Sequence, residues 1–206
     1  KLNVSASREH NLANLNKTPE ESITNFEDSV SLAVQHGIEV SGSISMPFGS
    51  PWEGNIPLKS VQSIVEAYLK VGITEISLSD ASGMAIPNQV YLMCSKMQEL
   101  YPQVKWWLHF HNTRGMAMAN ILAAMQAGIT QFDSSFAGLG GCPFVPGAAG
   151  NVSSEDVVHM MDEMGIETGI YIVRLMGLSR KVRQMVGHDT DSYILKAGRS
   201  KDLIKK

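Results

Sequence analysis

Two histidines one residue apart, His109 and His111, follow the largely apolar run Val104–Leu108 and precede Asn112, Thr113, Arg114 and Gly115. In a strand, residues i and i+2 face the same way, so both imidazoles would converge at the strand's C-terminal end. Downstream, Gly138-Leu139-Gly140-Gly141-Cys142-Pro143-Phe144 and Gly147-Ala148-Ala149-Gly150-Asn151 carry a thiol and an amide on a glycine-rich loop. Two imidazoles and an amide oxygen could hold a divalent metal and leave positions for substrate and water. A set that includes oxygen donors tends towards Mg²⁺ or Mn²⁺, whereas a closed structural zinc site recruits thiolates.

Each residue also has a plainer reading. Most His-x-His pairs are structural or surface histidines; the strand end, with Asn112 and Gly115 before a helix, favours a ligand pair here. A free cysteine is usually a small buried apolar residue. A loop position flanked by Gly140 and Gly141 and followed by Pro143 suits a core residue poorly, so Cys142 reads as an acid/base or oxidisable thiol. Asp80, just after a strand, is equally a site carboxylate or the cap of a turn. Asn151 is a ligand or the turn residue before the next helix. Glu155 reads most simply as a first-turn residue favoured by the helix dipole. Cys94, in step with Val90 and Met97, belongs to a core, as do Trp106, Trp107 and the methionines at 160, 161 and 164.

The elements that would place these residues alternate strand and helix. Thr18-Pro19-Glu20-Glu21 is a capping box with proline at the first helical position, and Ile23, Phe26, Val30, Ala33 and Val34 continue the helix to Gly37. A strand over 38–46 runs into a turn-rich loop from Pro47 to Pro57. A second helix covers about 58–71, a strand 74–79, and a third helix runs from Pro87 to before Pro102. The histidine strand follows, then a helix over 115–127, a short strand over 129–135, and a helix capped by Ser153 or Ser154. The tail from about 168 is mainly helical. This alternation, with a period of about 25–40 residues, implies parallel strands joined by right-handed crossovers. No Gly-x-Gly-x-x-Gly or phosphate-loop lysine is present, which weakens a nucleotide-binding open sheet. Polar residues clustered just after strands suit a (β/α)8 barrel. With the Val4 region the count is about five strands of eight. The expectation is an incomplete TIM barrel, residues 1–206 forming the C-terminal part of one catalytic domain.

Composition narrows the classes. The formal net charge is −3, and no basic block suggests nucleic acid as a partner. No apolar run approaches the ~18 residues of a membrane helix, so no membrane partner is expected. Two cysteines make no disulfide framework, and free thiols suit a reducing compartment.

Ser135-Phe136-Ala137-Gly138-Leu139-Gly140-Gly141-Cys142-Pro143-Phe144, followed by Pro146-Gly147-Ala148-Ala149-Gly150-Asn151, closely resembles the cysteine-loop signature of 3-hydroxy-3-methylglutaryl-CoA lyases. His109-Phe110-His111-Asn112 with Ala119-Asn120 resembles their His-x-His segment. Ser5-Ala6-Ser7, Pro51-Trp52-Glu53-Gly54 and Glu75-Ile76-Ser77-Leu78-Ser79-Asp80 are similar to that family too. The likeness runs from about residue 2 to about residue 175.

The resemblance implies a TIM barrel of the metal-dependent acyl-CoA lyase and synthase superfamily, with Mg²⁺ or Mn²⁺ on His109, His111, Asn151 and an aspartate from the first strand. It implies catalytic roles for Cys142, His109 and Asp80, and further site positions at Glu155, Gly140 and Gly141. The implied reaction is retro-Claisen cleavage of an acyl-CoA to acetyl-CoA and a keto acid such as acetoacetate. The implied enzyme is a homodimer of the bacterial cytoplasm or the mitochondrial matrix. The family's Arg-Asp pair, from its first strand, has no counterpart here, so this piece alone is expected to be inactive or very weak. Many lyases carry Cys, Asp and Tyr where this chain has Phe110, Asn112 and Arg114, which leaves the acyl-CoA open, citramalyl-CoA included. Two alternatives stand beside the lyase. One is a condensing enzyme similar to isopropylmalate or homocitrate synthases; the other is an inactive barrel fragment serving as an interaction module.

Overall fold

The computed structural model describes residues 1–145 and 147–204. Five strands, β1 (Leu2–Ser5), β2 (Gly42–Ser45), β3 (Glu75–Asp80), β4 (Lys105–Phe110) and β5 (Phe132–Asp133), form one sheet in sequence order, and every pair is parallel. The helices are α1 (Arg8–Leu15), α2 (Pro19–Thr24), α3 (Phe26–Gln35), α4 (Leu58–Lys70), α5 (Pro87–Leu100), α6 (Ala117–Gln126), α7 (Ser154–Glu163), α8 (Ile172–Val186) and α9 (Tyr193–Ala197). This is the α/β order of a TIM barrel, with five of its strands in these residues.

The two faces of the sheet are chemically opposite. Val4, Ile44, Ile76, Leu78, Leu108 and Phe110 point one way and are at most 1% exposed. They pack with Val61, Ile64, Val65 and Tyr68 of α4, Val90, Cys94 and Met97 of α5, and Ile121 of α6 in one core. The opposite face carries Asn3, Ser5, Ser43, Ser45, Ser77, Ser79, Trp107, His109 and Asp133, matched across the strands. Small hydroxyls there satisfy one another: Ser77 donates to Ser43 at 3.0 Å, and Ser45 to Asn3 Oδ1 at 2.9 Å. Tyr68, from the helix layer, places its hydroxyl 2.9 Å from the carbonyl oxygens of Leu2 and Ser43, which share its one proton, tying α4 to β1 and β2.

Some boundaries differ from the sequence reading. The single helix expected from Thr18 to Gly37 is two, broken at Asn25, whose backbone leaves the helical region. The capping box is present, with Thr18 and Glu21 bonding reciprocally at 3.2 and 2.7 Å. α1, which no apolar periodicity announced, is started by Ser7 accepting from His10 N. β5 is only two residues long, because Ser135 leaves the sheet to pair with Ser153. The tail is helical in α8 and α9, and Lys205 and Lys206 lie outside the described residues. Among the described residues no helix is long and apolar enough to cross a membrane.

Candidate active site

Parallel strands end in step, so the C-terminal ends of β1 to β5 form one rim. On that rim β4 runs out through His109 into His111, whose ring centroids lie 5.2 Å apart. The chain returns to the same place after the glycine loop. His111 and Asn151 form an antiparallel bridge, flanked by Asn112 N to Gly150 O at 2.9 Å and Val152 N to Phe110 O at 3.0 Å. His109, His111 and Asn151 are thereby gathered at one corner of the rim.

Electrostatics there favours neutral imidazoles. Burial lowers the pKa of His111 to about 4, with His109 adding to the effect. Burial also lowers that of His109, against the pull of Asp133, whose carboxylate is 3.9 Å from His109 Nδ1. Unprotonated imidazole is the form that binds a metal or accepts a proton. Two buried polar atoms at this corner, His111 Nδ1 and Asn151 Oδ1, have no hydrogen-bond partner. A cation would satisfy them, and two neutral imidazoles with an amide oxygen fit a divalent ion. Among the described residues no three His, Cys, Asp or Glu side chains are grouped to hold a metal.

The glycine loop sits over this corner. Gly140 has φ +105°, and a Cβ on it would stand 2.5 Å from Asn151 Nδ2. Only glycine allows both the backbone angle and that approach. A Cβ on Gly150 would meet the carbonyl oxygens of Gly138 and Gly140, each at 2.5 Å. Asn151 Nδ2 donates to Leu139 O at 2.7 Å, which leaves its oxygen free. Gly141 is roomier: its nearest neighbours would be 3.9 Å from a Cβ. Beyond it Cys142 and Ala148 pack on Met46, Ala81 and Val145, at the ends of β2 and β3. Pro146 lies outside the described residues. Cys142 Sγ lies 3.7 Å from His10 Nε2.

Asp80 and Glu155 do not join the cluster. The Asp80 carboxylate is 1% exposed and accepts from Met84 N at 3.0 Å, Ala85 N at 3.1 Å and Ser82 Oγ at 3.1 Å. It caps the β3–α5 turn, the second of the two roles its sequence position allowed. Burial still raises its pKa, outweighing those hydrogen bonds. Glu155 is fully buried in the first turn of α7. It accepts from Ala137 N at 3.1 Å and from Ser179 Oγ, fastening the start of the glycine loop to α8. Burial raises its pKa as well. Three neighbours escaped the sequence reading. Asp133 is level with His109 across β4 and β5. Lys1 is 3.4 Å from Asp133 and 3.9 Å from the Trp107 ring centroid. The third is His10.

The side chains at the positions that depart from the lyase pattern make other contacts. Phe110 is on the helix side, stacked with Phe48 at 6.0 Å. Asn112 Oδ1 accepts from Ala117 N at 3.2 Å, starting α6. Arg114 donates to Ser82 O at 2.9 Å, tying two rim loops.

Five parallel strands with His109, His111 and Asn151 at their C-terminal rim have the arrangement of a TIM barrel, whose enzymes keep their sites at that end. A family model described as HMGL-like matches residues 1–182, and the chain belongs to that family. It is 36% identical to the hydroxymethylglutaryl-CoA lyase of Bacillus subtilis over 96% of this chain and 66% of that protein. It is 37% identical to the (R)-citramalyl-CoA lyase of Chloroflexus aurantiacus over 96% of this chain and 62% of that one. A solved HMG-CoA lyase from Acinetobacter baumannii, in complex with coenzyme A and 3-methylmalate, superposes with a TM-score of 0.92 at 45% identity, covering 99% of this chain and 67% of that one. The chain thus spans about two thirds or less of the length of these curated relatives.

Proposed function

We propose that the protein carrying this chain is a carbon–carbon lyase that cleaves a 3-hydroxy-3-methylglutaryl-CoA-like acyl-CoA to acetyl-CoA and a keto acid such as acetoacetate. The observation that carries the reading is the pairing of His111 with Asn151, which joins the histidine strand to the end of the cysteine loop. The named relatives are lyases, which favours cleavage over the condensing alternative. They include one named for citramalyl-CoA, at 37% identity beside 36% for the Bacillus subtilis lyase, so that acyl-CoA belongs in the same test.

His109, His111 and Asn151 would hold Mg²⁺ or Mn²⁺. The bound ion would supply positive charge beside the substrate's tertiary hydroxyl and make its proton easier to remove. His109, kept neutral by burial, would accept that proton once its free ring nitrogen has left the ion. The C2–C3 bond then breaks: its electron pair stays on C2 as the acetyl-CoA enolate, and C3 becomes the ketone of the keto acid. The Cys142 thiol gives a proton to C2, completing acetyl-CoA. The loop around Cys142 excludes water from the enolate. Two free cysteines suit a reducing compartment such as the bacterial cytoplasm or the mitochondrial matrix.

Incubating the whole protein that carries this chain with 3-hydroxy-3-methylglutaryl-CoA or citramalyl-CoA and Mn²⁺, with acetyl-CoA release coupled to a chromophore, tests the reading. Release with either thioester that is abolished by EDTA is the expected result. Metal-independent release, or none from either thioester, contradicts it.

A further inference from the structure

The lyase reading leaves the buried imidazole of His10 unused. His10 lies on α1, just past the C-terminal end of β1, and is 2% exposed. Its ring is enclosed by Trp52, with centroids 5.9 Å apart, and by Phe144 of the cysteine loop, edge-on at 6.4 Å. Nδ1 is buried without a partner, and Nε2 faces the Cys142 sulfur at 3.7 Å, within hydrogen-bonding range for sulfur. A histidine desolvated to this extent costs stability unless something at the site uses it. Its one hydrogen-bonding contact through the ring is the thiol.

We infer that His10 is the positioning residue and proton partner of Cys142: its Nε2 fixes the direction of the S–H bond and takes up the proton when the sulfur reacts as thiolate. The inference rests on the lyase reading for its purpose, since there the thiol must be aimed at a carbon. The geometry itself stands on α1 and the loop. Burial keeps the His10 pKa below the ordinary imidazole value, so the ring is the unprotonated acceptor near neutral pH. The charged group facing it is Glu53, which tends to raise that pKa and is held by Ser7, Ser50 and the Glu9 amide. An imidazolium formed by proton uptake from sulfur therefore has a carboxylate to balance it. After the thiol has protonated C2, the neutral imidazole takes one proton from solvent and passes it to the thiolate, so the pair returns to S–H and neutral ring.

The test needs neither substrate nor metal. Alkylation of Cys142 by iodoacetamide is followed against pH by mass spectrometry. Cys94, 1% exposed and with its thiol pushed up to about 12 by burial, reports unfolding if it reacts. The parent should show an acid-side step below pH ~6.5, where His10 titrates. H10F keeps the aromatic contacts and H10Q keeps a hydrogen-bonding group. Both should lose that step, and H10F should alkylate about tenfold more slowly at pH 7. Parent-like rates and profiles in both variants would overturn the inference. If either variant exposes Cys94, the conservative C142S protein decides instead: removing the thiol should move the His10 midpoint in an NMR titration, and an unmoved midpoint overturns the inference. Absence of acetyl-CoA release from a parent that retains the His10 step would fail the lyase reading and leave the pair standing.

Discussion

Replacing Asp80 separates a structural carboxylate from a catalytic one. Its three hydrogen bonds, at 3.0 to 3.1 Å, hold the turn that leads from β3 into α5. Bonds to an ionised acceptor contribute about 1.5–3 kcal/mol each, so D80A loses roughly 4.5–9 kcal/mol gross. Relief of the carboxylate's own desolvation offsets part of this, leaving about 3 kcal/mol net. For a chain of this size that lowers Tm by roughly 6–12 °C. D80N keeps one acceptor oxygen but turns an NH₂ group towards amide donors, and should fall between D80A and the parent. Burial holds the Asp80 pKa above its unfolded value. Its ionisation therefore leaves stability intact below the unfolded value near pH 4, and stability declines as pH rises through the folded value. D80N should flatten that decline. Circular dichroism melts and the acetyl-CoA assay, run on the same samples below the melting onset, check this. If kcat falls a hundredfold or more with Tm unchanged, Asp80 acts on substrate and the turn-cap account is wrong.

G140A, with a Cβ forced to 2.5 Å from Asn151 Nδ2 at φ +105°, should displace Asn151, weaken Mn²⁺ binding and lower Tm; unchanged binding by electron paramagnetic resonance would refute the close approach. Y68F removes the hydroxyl whose proton Leu2 O and Ser43 O share and should cost about 1–2 kcal/mol in urea unfolding, because two buried carbonyls lose a partner. His111 has a folded pKa near 4, well below its unfolded value, so its contribution is complete above pH ~6.5 and disappears as pH falls towards 4, about 3 kcal/mol in all. H111N should flatten the parent's loss of Tm over that window, and a parallel loss would contradict the burial of a neutral imidazole.

The sequence showed most of what alternates and little of what crosses the sheet. The ends of α4 and α5 were readable because Val61, Ile64, Val65 and Tyr68 repeat at helical spacing and Pro87 marks a first turn. α1 was not, since Arg8–Leu15 is mostly polar and its order comes from the Ser7 cap and from packing. The His109–His111 pair was visible through the two-residue strand period, and Asn151 through its place at the end of the glycine loop. His10 is 132 residues from Cys142, and only the folded chain brings them together. Asp133 was hidden in a strand too short to show alternation. Asp80 and Glu155 carry the right chemical groups, but strand parity and helix phase turn them into the protein interior. Periodicity in the sequence alone did not separate those two outcomes.

The central claim is that His109, His111 and Asn151 form one metal-binding corner. Mn²⁺ titration of the parent, H111A and N151A, read by electron paramagnetic resonance, tests it most directly. The account predicts one weak site per chain, because all three donors are neutral, weakened at least about tenfold by either substitution. Binding that is equal in all three proteins would contradict it.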